Sequence, residues 1–258
     1  MLILLSPAKT LDLTPPVREL PATKPVLHAD ACRLAAIAKE LSRDDFAELM
    51  SVSDALAETA HGYFQDWRQK WDDKRAKQAV LAFRGDVYQG LDADTLCEAD
   101  LLYAQDHLRV LSGLYGVLRP LDLMQGYRLE MGRPLANPRG RDLYAFWREK
   151  VTAEVDLAAN ACDEPLVVNL ASKEYAGVVD FGRLEAAVVS PAFLDLHNGQ
   201  YKTLGLFAKR ARGMMARFLI QTRAETEADL HGFNAAGYRH NRERSEPGRP
   251  AFTRDRAV

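Results

Sequence analysis

Eight polar residues stand where apolar runs break off: Ser6, Lys9, Asp86, Tyr88, Arg128, Asn169, Ser172 and Glu174. Buried strands that end in polar side chains often converge on a pocket, although every chain leaves its core at such points. If these residues converge, Lys9 and Asp86 have the types for an acid–base pair, and Arg128 for an anion clamp. The stretch SPAKT, Ser6 to Thr10, follows an apolar run and ends in Lys-Thr, as phosphate loops do. It lacks the glycines that let backbone N–H groups wrap a phosphate, so it is a weak nucleotide loop. No G-x-G-x-x-G or G-x-S-x-G occurs. The six histidines and three cysteines show no ligand spacing, with neither HExxH nor CxxC. Neither a metal nor an organic cofactor is called for.

Two further stretches carry charge in a suggestive pattern. In FAKRARGMMARFLIQ, Phe207 to Gln221, helical periodicity puts Phe207, Ala211, Met214, Met215 and Phe218 on one face. Lys209, Arg210, Arg212 and Arg217 share the other. Composition alone fits an ordinary amphipathic surface helix. Such helices usually interleave Glu at i,i+4, however, and this face has no acid. Four bases without a counter-charge repel one another, and a phosphate would offset that repulsion. The second stretch is LRVLSGLYGVLRPLD, Leu108 to Asp122. Its pattern suggests a helix from Ala99 to Leu111, a turn through Ser112, Gly113, Tyr115 and Gly116, and a second helix from Val117 to Met124. Free N–H groups at the start of that second helix would hold one DNA phosphate without reading sequence, with Arg119 beside it, as in a helix-hairpin-helix. A plain connection with glycine as the helix cap fits equally well. The glycines are also separated by two residues, Leu114 and Tyr115, where the usual hairpin has one.

The elements that position these residues follow from periodicity and punctuation. Leu2 to Leu5, Ala79 to Phe83 and Leu166 to Leu170 read as buried strands. Residues 14–27 are proline-rich and read as an extended connection. Helices are expected between Asp30 and Met50 with a break near Ser42, from Ser53 to Trp71, from Ala93 to Leu111, from Arg139 to Ala161, and from Phe207 to Gln221. Asn198-Gly199, between two β-rich runs, is the strongest hairpin signal in the chain. The tail after Gly237 is Arg-rich and punctuated by Gly and Pro, and it reads as irregular. Strands and helices mix without strict βαβ alternation. The expectation is α+β: one compact domain over residues 1–258, a mixed sheet with surrounding helices, and a helix-hairpin-helix-like element.

Charge is unevenly spread over the 258 residues. The formal net charge is −2, but residues 1–106 and 151–200 are acidic while 107–150 and 201–258 are basic. If the basic blocks meet in space, they form a positive groove on a nearly neutral protein. Clustering on unrelated solvated faces is the alternative. No apolar run approaches the roughly 18 residues of a membrane span. The short run at the N-terminus lacks the basic region of a signal peptide. Scattered cysteines fit a reducing cytoplasm.

Five blocks carry a resemblance to the bacterial peroxide-stress protein YaaA family. They are MLILLSPAKTLD at the N-terminus, LAFRGDVYQGL (Leu81 to Leu91), LRVLSGLYGVLRPLDLMQGYRLEMG (Leu108 to Gly132), VVNLASKEY (Val167 to Tyr175) and FAKRARGMMARF (Phe207 to Phe218). Arg84 stands where the family pattern has lysine, which keeps the charge. The tail after Gly237 resembles the family least. The resemblance implies a cytoplasmic protein that responds to hydrogen peroxide, limits free iron and oxidative DNA damage, and has a compact α+β domain. It also implies binding of duplex and branched DNA with little sequence preference, through a positive cleft and a helix-hairpin-helix. The hairpin carries onto Gly113 to Arg119, and the cleft onto Lys9, Arg128, Lys209, Arg210, Arg212 and Arg217. No enzymatic reaction follows from the resemblance. An enzyme acting on a nucleotide or other small anion stays open beside DNA binding, because a ring of Ser, Asp, Tyr, Asn and Glu is more than a duplex grip needs. A weaker third reading, an iron-handling chaperone, suffers from the poor inventory of metal ligands. The oligomeric state is not legible.

Overall fold

The four residues after Met1 are apolar and all buried, as a strand covered on both faces requires. A computed structural model of the chain describes residues 1–16, 19–70 and 75–255. In it, β1 (Leu2–Leu5) is the centre of a five-stranded sheet. The other strands are β5 (Leu108–Ser112), β6 (Gly116–Leu118), β8 (Leu166–Asn169) and β9 (Ala187–Val189). Their order is β6-β5-β1-β8-β9. Ile3 stands opposite Leu108 on one side and Val168 on the other, both parallel. β9 extends the parallel set beyond β8, and β6 closes the opposite edge antiparallel to β5.

A second sheet is built from β10 (Ala192–His197), β11 (Gln200–Lys202), β12 (Arg239–His240) and β13 (Ala251–Arg254), in the order β11-β10-β13-β12. β10 and β11 form the hairpin expected at Asn198-Gly199, and both turn residues have positive φ, 50° and 75°. The tail after Gly237 is not irregular. β13 enters the sheet parallel to β10, and buried Arg254 reaches Asp195 at 2.6 Å while Tyr238 donates to the same carboxylate at 2.8 Å. Two short pairings, β2 (Thr10–Leu11) with β4 (Phe83–Arg84) and β3 (Lys77–Gln78) with β7 (Leu123–Met124), tie loops to the body.

The first three helices are α1 (His28–Lys39), α2 (Arg43–Met50) and α3 (Asp54–Asp66). Ser42 and Asp45 cap the second reciprocally. The helix expected from Ser53 thus stops at Asp66, and its expected last residue, Trp71, lies outside the described residues. The expected strand Ala79 to Phe83 is instead one helical turn, α4 (Ala79–Ala82), running into β4. A short wholly buried apolar run satisfies either period. The remaining helices are α5 (Asp86–Leu91), α6 (Glu98–His107), α7 (Leu143–Asn160), α8 (Lys173–Ala176), α9 (Gly205–Thr222) and α10 (Glu227–Leu230). α9 packs against α5, and it touches both β1 of the first sheet and β10 of the second. The whole is α+β.

The largest correction falls on residues 108–124. α6 ends at His107, and the chain continues as β5, a turn, and β6, so this stretch is a β-hairpin and not a helix-hairpin-helix. Its glycines serve packing. An added Cβ at Gly116, whose φ is +70°, would meet the Trp147 ring at 2.7 Å. One at Gly113 would run into the Leu129 carbonyl, with Leu129 C at 3.0 Å.

Candidate anion-binding cleft

β1 and β8 are parallel neighbours whose onward connections part: β1 leads to β5 on one side, and β8 leads to β9 on the other. In open sheets of this kind a crevice opens beyond the carboxyl ends of such a strand pair. Ser6 follows β1 there, and Ser172 lies just past β8. The Ser172 N–H donates to Ser6 Oγ at 2.8 Å, and the two hydroxyls are 3.3 Å apart. Tyr88, on α5, donates its hydroxyl to the Ser6 carbonyl at 3.1 Å. Burial pushes that phenol well above its ordinary range, so it stays neutral. Gly85 starts α5 with φ 125° and ψ −177°, a conformation essentially confined to glycine, and turns the chain so that Asp86 lines the crevice.

The crevice is a cavity of about 390 Å³. Six of the eight polar residues singled out from the sequence line it: Ser6, Lys9, Asp86, Tyr88, Ser172 and Glu174. α9 contributes Lys209 and Arg212 to the lining, and Arg84 joins them. Arg84 has no counterpart among the sequence candidates, although its place beside Gly85-Asp86 at a strand end was a usable signal.

The charges around the cavity are matched unequally. Arg84 is held by Asp12 at 3.1 Å and Asp94 at 3.2 Å. Hydrogen bonds from Thr14, and then from Lys77, outweigh desolvation and keep Asp12 well below the usual carboxylate range. Glu174 accepts the Gly132 N–H at 3.0 Å. Lys9 approaches buried Glu130 at 3.3 Å but is itself 62% exposed, so its ammonium is free to turn to a ligand. Among the described residues, the Lys209 and Arg212 side chains form no ion pair, and the Asp86 side chain forms neither an ion pair nor a hydrogen bond. Burial lowers the proton affinity of Arg212, the mark of a guanidinium partly stripped of water without a carboxylate to compensate.

Two of the eight fall outside this cavity. Arg128 sits behind it, 3.5 Å from Glu130, whose carboxylate is also approached by Arg133 at 4.0 Å. Arg128 therefore steadies a buried acid rather than clamping a ligand in the main cavity. Asn169 faces a neighbouring cavity and donates to Ser190 Oγ at 3.2 Å.

Among the residues expected to touch DNA, Lys9, Lys209 and Arg212 line the cleft. Arg210 is exposed but lines none of the cavities described here. Arg217 donates to Leu91 O at 3.0 Å, Asp92 O at 2.8 Å and Thr95 Oγ1 at 2.9 Å, locking α9 to the end of α5. Arg119 is spent on buried Asp122 at 3.0 Å and on Lys24 O at 3.0 Å. Ser112, Gly113, Tyr115 and Gly116 are buried and satisfied from within. Ser112 Oγ takes the Tyr115 N–H at 3.0 Å and pairs with the Tyr127 hydroxyl at 2.7 Å. Gly113 O accepts from Trp147 Nε1 at 2.9 Å. No phosphate can reach this hairpin.

Among the described residues, no three His, Cys, Asp or Glu side chains form a metal-holding group, and no helix is long and apolar enough to cross a membrane. The fold and cleft together define an α+β protein with a cavity, lined by four cations, at the carboxyl ends of a parallel strand pair. The chain belongs to the family described as Peroxide stress protein YaaA, which it matches over residues 1–244. It is 48% identical over 255 residues to a UPF0246 protein of Shewanella amazonensis (strain ATCC BAA-1098 / SB2B), covering 99% of each chain. It is 46% identical over 254 residues to UPF0246 protein Sbal195_1149 of Shewanella baltica (strain OS195), covering 98% of this chain and 99% of the relative.

Proposed function

We propose that this chain acts in the response to peroxide as a DNA-binding protein that holds phosphodiester groups in the basic cleft without reading sequence. Lys209 and Arg212, facing the cavity with no acidic partner among the described residues, carry the reading. Two unneutralised cations on one wall call for an anion, and the Ser6 and Ser172 hydroxyls and the exposed Lys9 ammonium add donors. This mode replaces the buried hairpin as the phosphate grip. Protection of DNA and restriction of free iron would follow from occupancy of DNA rather than from a metal site.

Fluorescence anisotropy with a labelled forked DNA, titrated across salt, tests it. The logarithm of the binding constant should fall linearly with the logarithm of salt, by about 0.9 for each phosphate contacted in duplex and about 0.7 in single strand. Lys209→Ala with Arg212→Ala should weaken binding uniformly across sequences and flatten that slope by about one unit per lost contact. A flat salt dependence in the parent protein, or a double variant that binds as before, refutes the reading.

One observation favours a second reading, an enzyme acting on a nucleotide or small anion. The cavity has small-molecule size and holds Asp86, whose side chain has no partner among the described residues, within a ring of Ser, Tyr and Lys. Stabilisation of the protein by a nucleotide in a thermal-shift screen, lost in Lys9→Ala with Asp86→Ala, supports it. No stabilisation by any nucleotide, together with intact DNA binding in that variant, ends it.

A further inference from the structure

A second cavity, of about 570 Å³, lies beside the first and is larger. It opens past the ends of β8 and β9, at Asn169 and Ser190, just as the first opens past β1 and β8. Its lining includes three cations, Lys173, Arg212 and Arg249, and no carboxylate. Asn169, Ser190 and Thr203 supply neutral polar groups. Asn169 is held rigidly, since its Oδ1 accepts the Ala171 N–H at 3.1 Å while its Nδ2 donates to Ser190. Arg249 has one acidic neighbour, Glu246 at 3.5 Å, and both side chains are more than half exposed. So loose a surface pair is worth little and yields readily to a phosphate.

Arg212 borders both cavities. The chambers lie past adjacent strand pairs of the sheet, whose neighbouring strands stand about 4.8 Å apart. That is of the order of the nucleotide repeat along one strand, about 3.4 Å in B-form and longer when the strand is stretched. Each chamber falls within the roughly 300–1,000 Å³ of pockets that enclose a small molecule. A double helix, whose major groove alone is about 12 Å wide, has no room in either.

We propose that Lys173, Arg212 and Arg249 form a second phosphate subsite, and that the two chambers together hold a single strand of nucleic acid, with consecutive phosphates on either side of the Arg212 guanidinium. The inference rests on the phosphate-binding reading and deepens it: what enters the two chambers is a strand end or an unpaired run. A planar guanidinium with five N–H donors suits the shared position, because it can engage an oxygen of each phosphate at once.

The test compares a labelled oligodeoxythymidylate with a blunt-ended hairpin duplex by anisotropy, using the parent protein, Lys173→Gln with Arg249→Gln, and Arg212→Gln. Lys173 and Arg249 are solvent-facing, so the double variant should melt as the parent does. The parent should bind the single strand about tenfold or more tightly than the duplex, the equivalent of at least one charge-assisted hydrogen bond. The double variant should reduce the single-strand salt slope by about 0.7 per lost phosphate and leave the duplex value unchanged. Equal affinity for the two probes, or an unaltered slope in the double variant while Arg212→Gln weakens binding, overturns the second subsite and leaves DNA binding standing. No binding of either probe by the parent protein removes both.

Discussion

Two helices face the cleft across a crossing that glycine makes possible, and Gly213→Ala probes it. At Gly213, on α9, an added Cβ would fall on the Val87 carbonyl oxygen and lie 2.7 Å from Leu91 N and 2.8 Å from Val87 C. At Gly90, on α5, it would fall on the Arg210 carbonyl and lie 2.9 Å from Met214 N. All of these are backbone atoms, so no side chain can turn aside. Relieving the Leu91 contact, from 2.7 Å to the 3.4 Å of ordinary contact, takes roughly 0.7 Å, and clearing the Val87 oxygen takes more, so the helices must part by at least that. Overpacking of this kind costs about 1–3 kcal/mol, and backbone-on-backbone contact puts the cost at the upper end. Alanine's helix propensity returns about 1 kcal/mol. The net is about 2 kcal/mol of destabilisation, or a fall in Tm of about 4–8 °C for a domain of this size. Gly62, within α3, has nothing within 4 Å of the added carbon, and Gly62→Ala should stabilise by about 0.5–1 kcal/mol. Calorimetry on the pair separates packing from propensity. Because α5 carries Asp86 and Tyr88 while α9 carries Lys209 and Arg212, Gly213→Ala should also weaken DNA binding without removing a charge. A variant that melts at or above the parent would refute the reasoning about the crossing.

Two other perturbations test the interior. The Tyr115 hydroxyl accepts from Trp67 Nε1 at 3.2 Å and from the Gln125 N–H at 3.0 Å, and burial pushes its pKa up to about 12. Tyr115→Phe strands two buried donors and should cost about 2–4 kcal/mol, read as a lower urea midpoint with an unchanged m-value. Asp30 is buried, which alone would raise its pKa, but hydrogen bonds from Lys150 and Arg139 outweigh burial and hold it below its ordinary 3.8. A depressed carboxylate stabilises the fold above its unfolded-state value, and that contribution is lost as pH falls through the folded value. Asp30→Asn should therefore cost about 1–2 kcal/mol near neutrality, a figure discounted because both cations are partly exposed. The gap from the parent should close as pH falls below about 4, and a gap independent of pH would show that the ion pairs are not its source.

Much of the cleft was legible because it is built where strands stop. The uncharged runs at Leu2 and Leu166 have few alternatives to buried strands, and the polar residues just beyond them had to emerge at the sheet's carboxyl edge. Asn198-Gly199 and the amphipathic pattern of α9 are local signals, and they gave a hairpin and a helix within a residue or two of the structure. Residues 108–118 misled because LRVLSGLYGVL satisfies a helical period as well as an alternating one. The choice is made by pairing with β1, about a hundred residues earlier. The roles of Arg119 and Arg217 were hidden for a related reason. Their partners are mostly backbone carbonyls and a buried aspartate brought in by folding, and a count of charges cannot see them. Gly90 and Gly213 gave no warning either, since both sit inside helices where glycine looks like a mere weakness.

β1 leaves the ribosome well before its sheet neighbours, which begin at Leu108 and Leu166. At about 5–20 residues per second, the uncharged segment MLILL waits about 8–33 s before both of its edges have a mate. During that interval it is a short, β-prone, uncharged ribbon, the kind of sequence that seeds intermolecular stacking. Refolding from denaturant starts with the whole chain present, but β1 must still find partners more than a hundred residues away, so protein concentration, more than final stability, decides the yield.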